Sequence, residues 1–367
     1  MKAHCHREGL LSAFQLASVA IPARDVKPIL RNVKAVAERD QCTLMATDLE
    51  LGIRLELRGL KVDQPGEAML PAARTLAILR ESQTEEVSIE ADAERCVLSG
   101  PGMEFEMPGE DPAHFPDLPT FSDDKFHELS AGPLREMIRR TVFAAADENA
   151  RYSMTGVLWE LEGEEARLVA TDGKRLALAT GAAKAQGGHT TKGQTPVVPT
   201  KAMSLLERNL HDDEEAIRVS LRQNEVLFRT ERAVIYSRLV EGRYPNYREV
   251  FPKKTTVKVA LPVPAFLAAV RQAAVMTDED SKRVTFHFAK GKVTLAAQGQ
   301  ATGRSKVEMP VEYDSKAIDI SFNPAFLVDM LKVLPAETAL HLEMVDGVSP
   351  ALFRAEPNYS YLVMPLT

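Results

Sequence analysis

The chain states one pattern three times. Leu44-Met-Ala-Thr-Asp-Leu49 in the first third returns as Leu168-Val-Ala-Thr-Asp-Gly173 in the second, and Val293-Thr-Leu-Ala-Ala-Gln298 echoes both in the last. Thr47 and Thr171 stand 124 residues apart, and Ala170 and Ala296 stand 126 apart. A matching helix opening follows each copy: Pro71-Ala-Ala-Arg-Thr-Leu76, Pro199-Thr-Lys-Ala-Met-Ser204 and Asn323-Pro-Ala-Phe-Leu-Val328. Two copies also close alike, with Phe115-Pro-Asp-Leu118 and Tyr244-Pro-Asn-Tyr247. Solenoid repeats run about 20–50 residues, so this period is too long for one and is the length of a whole domain. It predicts three copies of one domain, over residues 1–124, 125–250 and 251–367.

Each third follows one grammar: an amphipathic helix, alternating strands, a second short helix and further strands. Leu134, Met137, Ile138, Thr141, Val142 and Ala145 fall at helical spacing, with Arg135 and Arg139 opposite. Val263, Phe266, Leu267, Val270 and Ala274 repeat this in the last third, and Leu10, Leu11, Phe14 and Ala17 in the first. Asn323-Pro324 predicts an N-cap followed by the favoured first-turn proline. Segments such as Arg54-Leu-Glu-Leu-Arg58 and Ala216-Ile-Arg-Val-Ser-Leu221 alternate by twos, the mark of strands with one buried face. The expected fold class is α+β: three repeated domains, each with two helices packed on antiparallel sheets. The polar loop Lys184–Thr195 has no readable chemistry.

Composition narrows the function. At 367 residues and 45% hydrophobic content the chain can bury a core in each of three domains. No apolar run approaches the roughly 20 residues that span a bilayer, and no charged-then-apolar leader opens the chain. A soluble, cytoplasmic protein without membrane contact is expected. Cys5, Cys42 and Cys96 stand apart, which argues against a disulfide framework or a cysteine zinc site. Residues 1–124 carry 13 basic and 22 acidic side chains, a net of −9, whereas each later third is at +1. The total of −7 argues against tight binding of nucleic acid through a basic surface.

No motif with catalytic mechanics is present: no Walker loop, no Gly-x-Ser-x-Gly elbow, no His-Glu-x-x-His. His4-Cys5-His6 places two imidazoles on one strand face but lacks a set of four ligands. The acidic runs Asp278-Glu279-Asp280 and Asp212-Asp213-Glu214-Glu215 match no calcium-loop spacing. Thr171-Asp172-Gly173-Lys174-Arg175 reads either as a phosphate site or as a strand ending in a tight Asp-Gly turn; its echo at Thr47-Asp48 favours the turn. No catalytic residue, metal or cofactor is expected.

Ala170-Thr-Asp-Gly-Lys-Arg-Leu-Ala177, Leu239-Val-Glu-Gly-Arg-Tyr-Pro-Asn-Tyr-Arg248, Arg151-Tyr-Ser-Met-Thr-Gly-Val-Leu158 and the ending Tyr361-Leu-Val-Met-Pro-Leu366 carry a resemblance. Over essentially its full length the chain resembles the bacterial DNA polymerase III beta subunits, the sliding clamps. The resemblance implies a head-to-tail homodimer that closes as a ring of six domains, with helices lining the hole and duplex DNA passing through it. It implies a non-catalytic processivity factor whose partners are DNA, the replicative polymerase and clamp-loader subunits. Arg74, Arg80, Arg135, Arg139, Lys201, Arg208, Arg271 and Lys332 suit such a lining, since a ring that encircles DNA has no need of tight, sequence-reading contacts.

Carried over by position, the family's DNA contacts fall on Arg24, Arg74, Tyr152 and Lys201. Its cleft for partner peptides falls on Met154, Thr171, Gly173, Lys174, Arg175, Leu176, Pro245, Val250, Leu362, Val363, Met364, Pro365 and Leu366. Lys174 and Arg175 are expected at the rim, over an apolar floor suited to aliphatic or aromatic side chains. Glu249, Pro350 and the ending at Thr367 depart from the family's pattern at that rim. The dimer joint is expected where Glu104-Phe-Glu-Met107 alternates acid with apolar and Arg304-Ser-Lys306 alternates base with small. Phe105, Met107, Val275 and Met276 would supply its apolar part. In family members the signs run the other way, basic in the first domain and acidic in the third. The readings that compete with a clamp are a ring-shaped protein scaffold without DNA and a metal-dependent hydrolase built on the acidic loops.

Overall fold

A computed structural model describes residues 1–22, 27–39, 41–147, 153–278, 282–299, 302–355 and 357–367. Helices come in pairs, one pair to each third: α1 (Arg7–Ala17) and α2 (Ala72–Glu81), α3 (Ala131–Thr141) and α4 (Thr200–Asn209), α5 (Val263–Ala274) and α6 (Pro324–Lys332). Most positions the spacing predicts are buried: Leu10, Phe14 and Ala17 on α1, Leu134, Met137 and Ile138 on α3, Val263, Phe266 and Val270 on α5, while Leu11, Leu267 and Ala274 are half-buried. The first-turn cap of α6 forms, with the Asn323 side chain accepting from the Ala325 N–H at 3.0 Å. α3 stops at Thr141, whose hydroxyl donates back to the Met137 carbonyl at 2.7 Å, so Val142 and Ala145 fall outside the regular helix.

The chain condenses into two compact units. The first comprises residues 1–133, 183–191 and 198–239, the second residues 134–182, 192–197 and 240–367. The middle third therefore contributes to both. In the first unit a five-stranded sheet runs Leu60–Gln64, Lys2–His6, Glu86–Ala91, Arg95–Gly100, Met103–Pro108. Its nine-stranded sheet runs from Lys184–Gln186 through Phe126–Ser130, Ala216–Leu221, Glu225–Arg229 and Ala233–Arg238 into Leu51–Leu57, Gln41–Thr47, Asn32–Glu38 and Gly66–Pro71. The joint is antiparallel, with Ala233 opposite Leu55 and Ser237 opposite Leu51, so strands of the first and middle thirds share one ladder.

The second unit repeats the device. Arg175–Ala182, of the middle third, pairs with the last strand of the chain, Tyr359–Val363, with Arg175 opposite Val363. In both joints the final strand of one repeat adds to the strand that leaves the Thr-Asp turn of the repeat before it. Edge pairing of this kind satisfies backbone groups that a free edge would leave exposed.

The loop read as featureless is built in. Lys184–Gln186 adds an edge strand to Phe126–Ser130, and His189 beyond it is buried with its Nδ1 2.6 Å from the Nδ1 of His127. Burial lowers the His189 pKa below its ordinary value.

Candidate functional site

The two Thr-Asp turns are the same structure. At the second, the Thr171 hydroxyl donates to the Arg175 carbonyl and accepts from the Gly173 N–H, and Asp172 Oδ1 accepts from the N–H groups of Lys174 and Arg175 at 2.9 and 3.0 Å. At the first, Thr47 bonds to the Leu51 carbonyl and the Leu49 N–H, and Asp48 Oδ1 accepts from Glu50 and Leu51 at 3.0 and 2.7 Å. The third residue is left-handed in each, Gly173 at φ +85° and Leu49 at φ +78°. Gly173 takes this conformation without cost, whereas Leu49 holds it against its own Cβ. A small side chain that satisfies two backbone N–H groups is a turn, and this is the second of the two meanings left open for Thr171–Arg175.

Each turn has one carboxylate oxygen left over, and a cation takes it. Asp172 Oδ2 accepts from Arg175 Nε at 3.0 Å. The rest of that guanidinium is engaged too: Nη1 donates to Asp329 on α6 and Nη2 to the Phe143 carbonyl, both at 2.8 Å. It also lies 4.7 Å from the ring centre of Phe326 and 5.6 Å from that of Phe143. The side chain is 11% exposed. Arg175 therefore sits under the turn and joins it to α6, while Lys174 stands exposed at the rim.

Around this turn lies a continuous apolar body. Leu158, Val169, Leu176, Val197, Tyr244, Tyr247, Leu352 and Leu362 form its buried part, with Leu178, Val240 and Phe251 partly covered. Segment 244–250 is held down by polar bonds. The Tyr244 hydroxyl donates to the Val169 carbonyl at 3.1 Å, and Glu160 accepts from the Tyr247 hydroxyl and from both Arg248 terminal nitrogens. Burial raises both phenols far above their ordinary pKa, so these hydroxyls stay donors. Gly173, Pro245, Val250 and Met364 are exposed at the surface of the body. Met154, Pro365 and Leu366 are half-buried, and Thr171, Leu176, Leu362 and Val363 are buried beneath.

The C-terminal tail is pinned rather than loose. The Met364 N–H donates to the Lys174 carbonyl and the Leu366 N–H to the Ser321 carbonyl, both at 2.8 Å, and Arg283 reaches the Thr367 carbonyl at 2.9 Å. Leu362–Leu366 is thus two things: a core strand as far as Val363, then a partly exposed strip carrying Met364 and Leu366.

The N-terminal, central and C-terminal domain models of the DNA polymerase III beta subunit match residues 1–119, 128–246 and 248–367. The chain belongs to the DNA polymerase III beta subunit family. It is 29% identical to the beta sliding clamp of Pseudomonas putida over 363 residues, 98% of each chain. It is 27% identical to the beta sliding clamp of Escherichia coli K12 over 369 residues, 100% of each. The crystal structure of the DNA polymerase III subunit beta from Pseudomonas aeruginosa superposes with a TM-score of 0.89 at 26% identity, covering 100% of both chains. The clamp is a non-catalytic subunit. Among the described residues no helix is long and apolar enough to cross a membrane.

Placed in the clamp chain, the expected DNA contacts divide. Arg24 and Tyr152 lie outside the described residues. Arg74 is exposed on α2, as are Arg80, Arg139, Arg208, Arg271 and Lys332 on their helices, with Arg135 half-buried. Lys201, the second residue of α4, is bound to the free oxygen of the first turn, Nζ to Asp48 Oδ2 at 2.5 Å.

The two expected joint strands are both sheet edges. Met103–Pro108 ends the five-stranded sheet, and Gly303–Pro310 ends a four-stranded sheet in the second unit. Glu104, Phe105 and Glu106 are exposed, as are Arg304 and Lys306. Met107 departs from the expectation. It stands opposite Cys96 on the covered face and is buried within its own sheet, which leaves Phe105 as the exposed apolar side chain of this strand. Val275, 70% exposed at the end of α5, and half-buried Met276 are available in the second unit.

Several supporting residues escaped the sequence. Asp329, Phe326 and Phe143 hold Arg175, and Glu160 holds segment 244–250; none carries a local signal, because their partners lie 32 to 154 residues away. Tyr244 and Tyr247 were visible as an echo of Phe115-Pro-Asp-Leu118 and within the Leu239–Arg248 segment of the resemblance, without their partners.

Proposed function

We propose that this clamp closes head-to-tail with a second copy around duplex DNA and tethers the replicative polymerase and the clamp loader through the apolar cleft beside Thr171–Arg175. The observation that carries the reading is the pairing of cationic helix faces in all three repeats with a net charge of −7. A protein that gripped DNA would need many neutralised phosphates, and its affinity would then oppose movement along the duplex. A ring held by topology needs only a thin basic lining. Its acidic remainder repels DNA from the outside.

The test is retention. A ring loaded on a circular plasmid should stay through a high-salt wash, and a single cut in the plasmid should release it. Direct binding to linear duplex should be weak and should fall as salt rises. Equal retention on cut and uncut plasmid overturns encirclement and leaves a protein-binding scaffold as the reading.

For the cleft, removal of Met364–Thr367 takes away two apolar anchors and leaves the buried strand Tyr359–Val363 in place. Each anchor is worth about 1–3 kcal/mol when buried by a ligand. The truncated chain should therefore lose most of its affinity for polymerase and clamp-loader peptides in a fluorescence titration while its sedimentation is unchanged. Undiminished peptide binding would place the cleft elsewhere.

A further inference from the structure

We infer that Asp48 competes with DNA phosphate for Lys201 and so sets how loosely the clamp holds the duplex. The inference rests on the reading of Lys201 as a DNA contact and adds a second residue that governs it. Asp48 is not a mobile surface acid. Its Oδ1 is bound by the N–H groups of Glu50 and Leu51, which fixes the carboxylate and aims Oδ2 at the first turn of α4. Lys201 Nζ meets that oxygen at 2.5 Å.

The two partners differ in exposure. The Asp48 side chain is 16% exposed, whereas that of Lys201 is 40% exposed. The ammonium thus lies at the surface with one carboxylate already beside it. A half-exposed ion pair of this kind is weak enough to exchange partners. A phosphate that reaches Lys201 must displace Asp48 or share the ammonium beside its like charge, so the contact releases less net free energy than a free lysine would give. A phosphate neutralised by a lysine that was already neutralised also displaces fewer condensed counterions.

The second turn shows what the same geometry does when the pair is permanent. There the spare oxygen of Asp172 is taken by Arg175, whose side chain is 11% exposed and is held by Asp329 and the Phe143 carbonyl as well. Arginine presents several donors at fixed angles and suits a closed network; lysine presents a single mobile charge. The first turn has the exchangeable cation, and it is the one on a helix face expected to line the hole.

Asp48→Asn is the informative variant, because its amide oxygen can still accept from Glu50 and Leu51 while the charge is removed. Binding to a short linear duplex is measured by fluorescence anisotropy across a salt series, with thermal melting as a check on folding. Asp48→Asn should raise low-salt affinity about two- to fivefold, the range of an exposed ion pair. It should also steepen the plot of log K against log salt by up to about 0.9, the value of one full phosphate contact. Lys201→Gln should lower the affinity, and the double variant should match Lys201→Gln alone. If Asp48→Asn does not fold, Asp48→Ser, whose hydroxyl can take the same N–H groups, makes the same comparison. An unchanged slope in Asp48→Asn, with Lys201→Gln still weakening binding, overturns the competition but not the DNA contact. No effect of Lys201→Gln at all removes Lys201 from the DNA face, and the inference falls with it.

Discussion

Under the head-to-tail closure proposed above, reversing Glu104 and Glu106 to lysine is expected to convert a dimer to a monomer, and reversing Arg304 and Lys306 to glutamate in the same chain to restore the dimer. Both strands are exposed sheet edges, and an unpaired edge is a template for another strand. Their charged side chains fall on one face. Glu104 and Glu106 alternate with Phe105 and Met107, and Arg304 and Lys306 alternate with Ser305 and Val307. In an antiparallel pairing each acid can face a base. An opposite-charge cross-strand pair contributes roughly 0.2–1 kcal/mol and a like-charge pair opposes by a similar amount. Changing two pairs from attraction to repulsion therefore costs on the order of 1–4 kcal/mol per joint, and a closed ring has two joints.

Existing partners on each edge moderate the effect. Glu106 lies 3.7 Å from Arg95, and Lys306 lies 2.9 Å from Glu308. These are exposed pairs and will exchange for a partner strand at little cost. The loss should be largest at low ionic strength and shrink as screening grows. Sedimentation velocity at two salt concentrations reads both effects. A double reversal that sediments like the parent would mean that these charges only keep the edges from aggregating.

What the sequence made legible was local and periodic. The repeat placed six helices in pairs, Asn323-Pro324 announced the start of α6, and the Thr-Asp turns were readable from residues two or three apart. Side-chain direction within a strand was legible where apolar and polar residues alternate. It failed at Met103–Pro108, because Phe105 and Met107 share a face and only one of them is covered. What could not be read was partnership across the chain. Lys201 finds Asp48 over 153 residues, and Arg175 finds Asp329 over 154. A charged residue beside a Gly turn looks like a solvated rim, and only the arrival of α6 and two aromatic rings covers most of the Arg175 side chain. The same limit hid the strand at Lys184–Gln186, whose short polar sequence has no strand pattern until Phe126–Ser130 lies beside it.

Arg175 is where that hidden partnership has its largest expected consequence. Arg175→Ala should lower the stability of the second unit by about 2–4 kcal/mol in urea unfolding. Breaking a fully buried ion pair costs about 3–5 kcal/mol, and the figure is reduced here because Asp329 is 38% exposed and can be resolvated. Asp172 keeps its bonds to the Lys174 and residue-175 N–H groups, so the turn should survive while its tie to α6 is lost. Arg175→Lys should recover little. One ammonium cannot meet Asp172, Asp329 and the Phe143 carbonyl together while also facing the rings of Phe143 and Phe326. A double-mutant cycle with Asp329→Asn separates the ion pair from the stacking. Residues that share one network should show a coupling of about 0.5–3 kcal/mol, and additivity would show that the ion pair with Asp329 contributes nothing. Peptide affinity at the proposed cleft should fall in parallel. Gly173 and Lys174 at the rim and Met364, whose N–H is held by the Lys174 carbonyl, all depend on where this turn is fixed. Arg175→Ala with parental stability and weakened peptide binding would instead put the guanidinium in contact with the peptide. Loss of both assigns it to holding the cleft in shape.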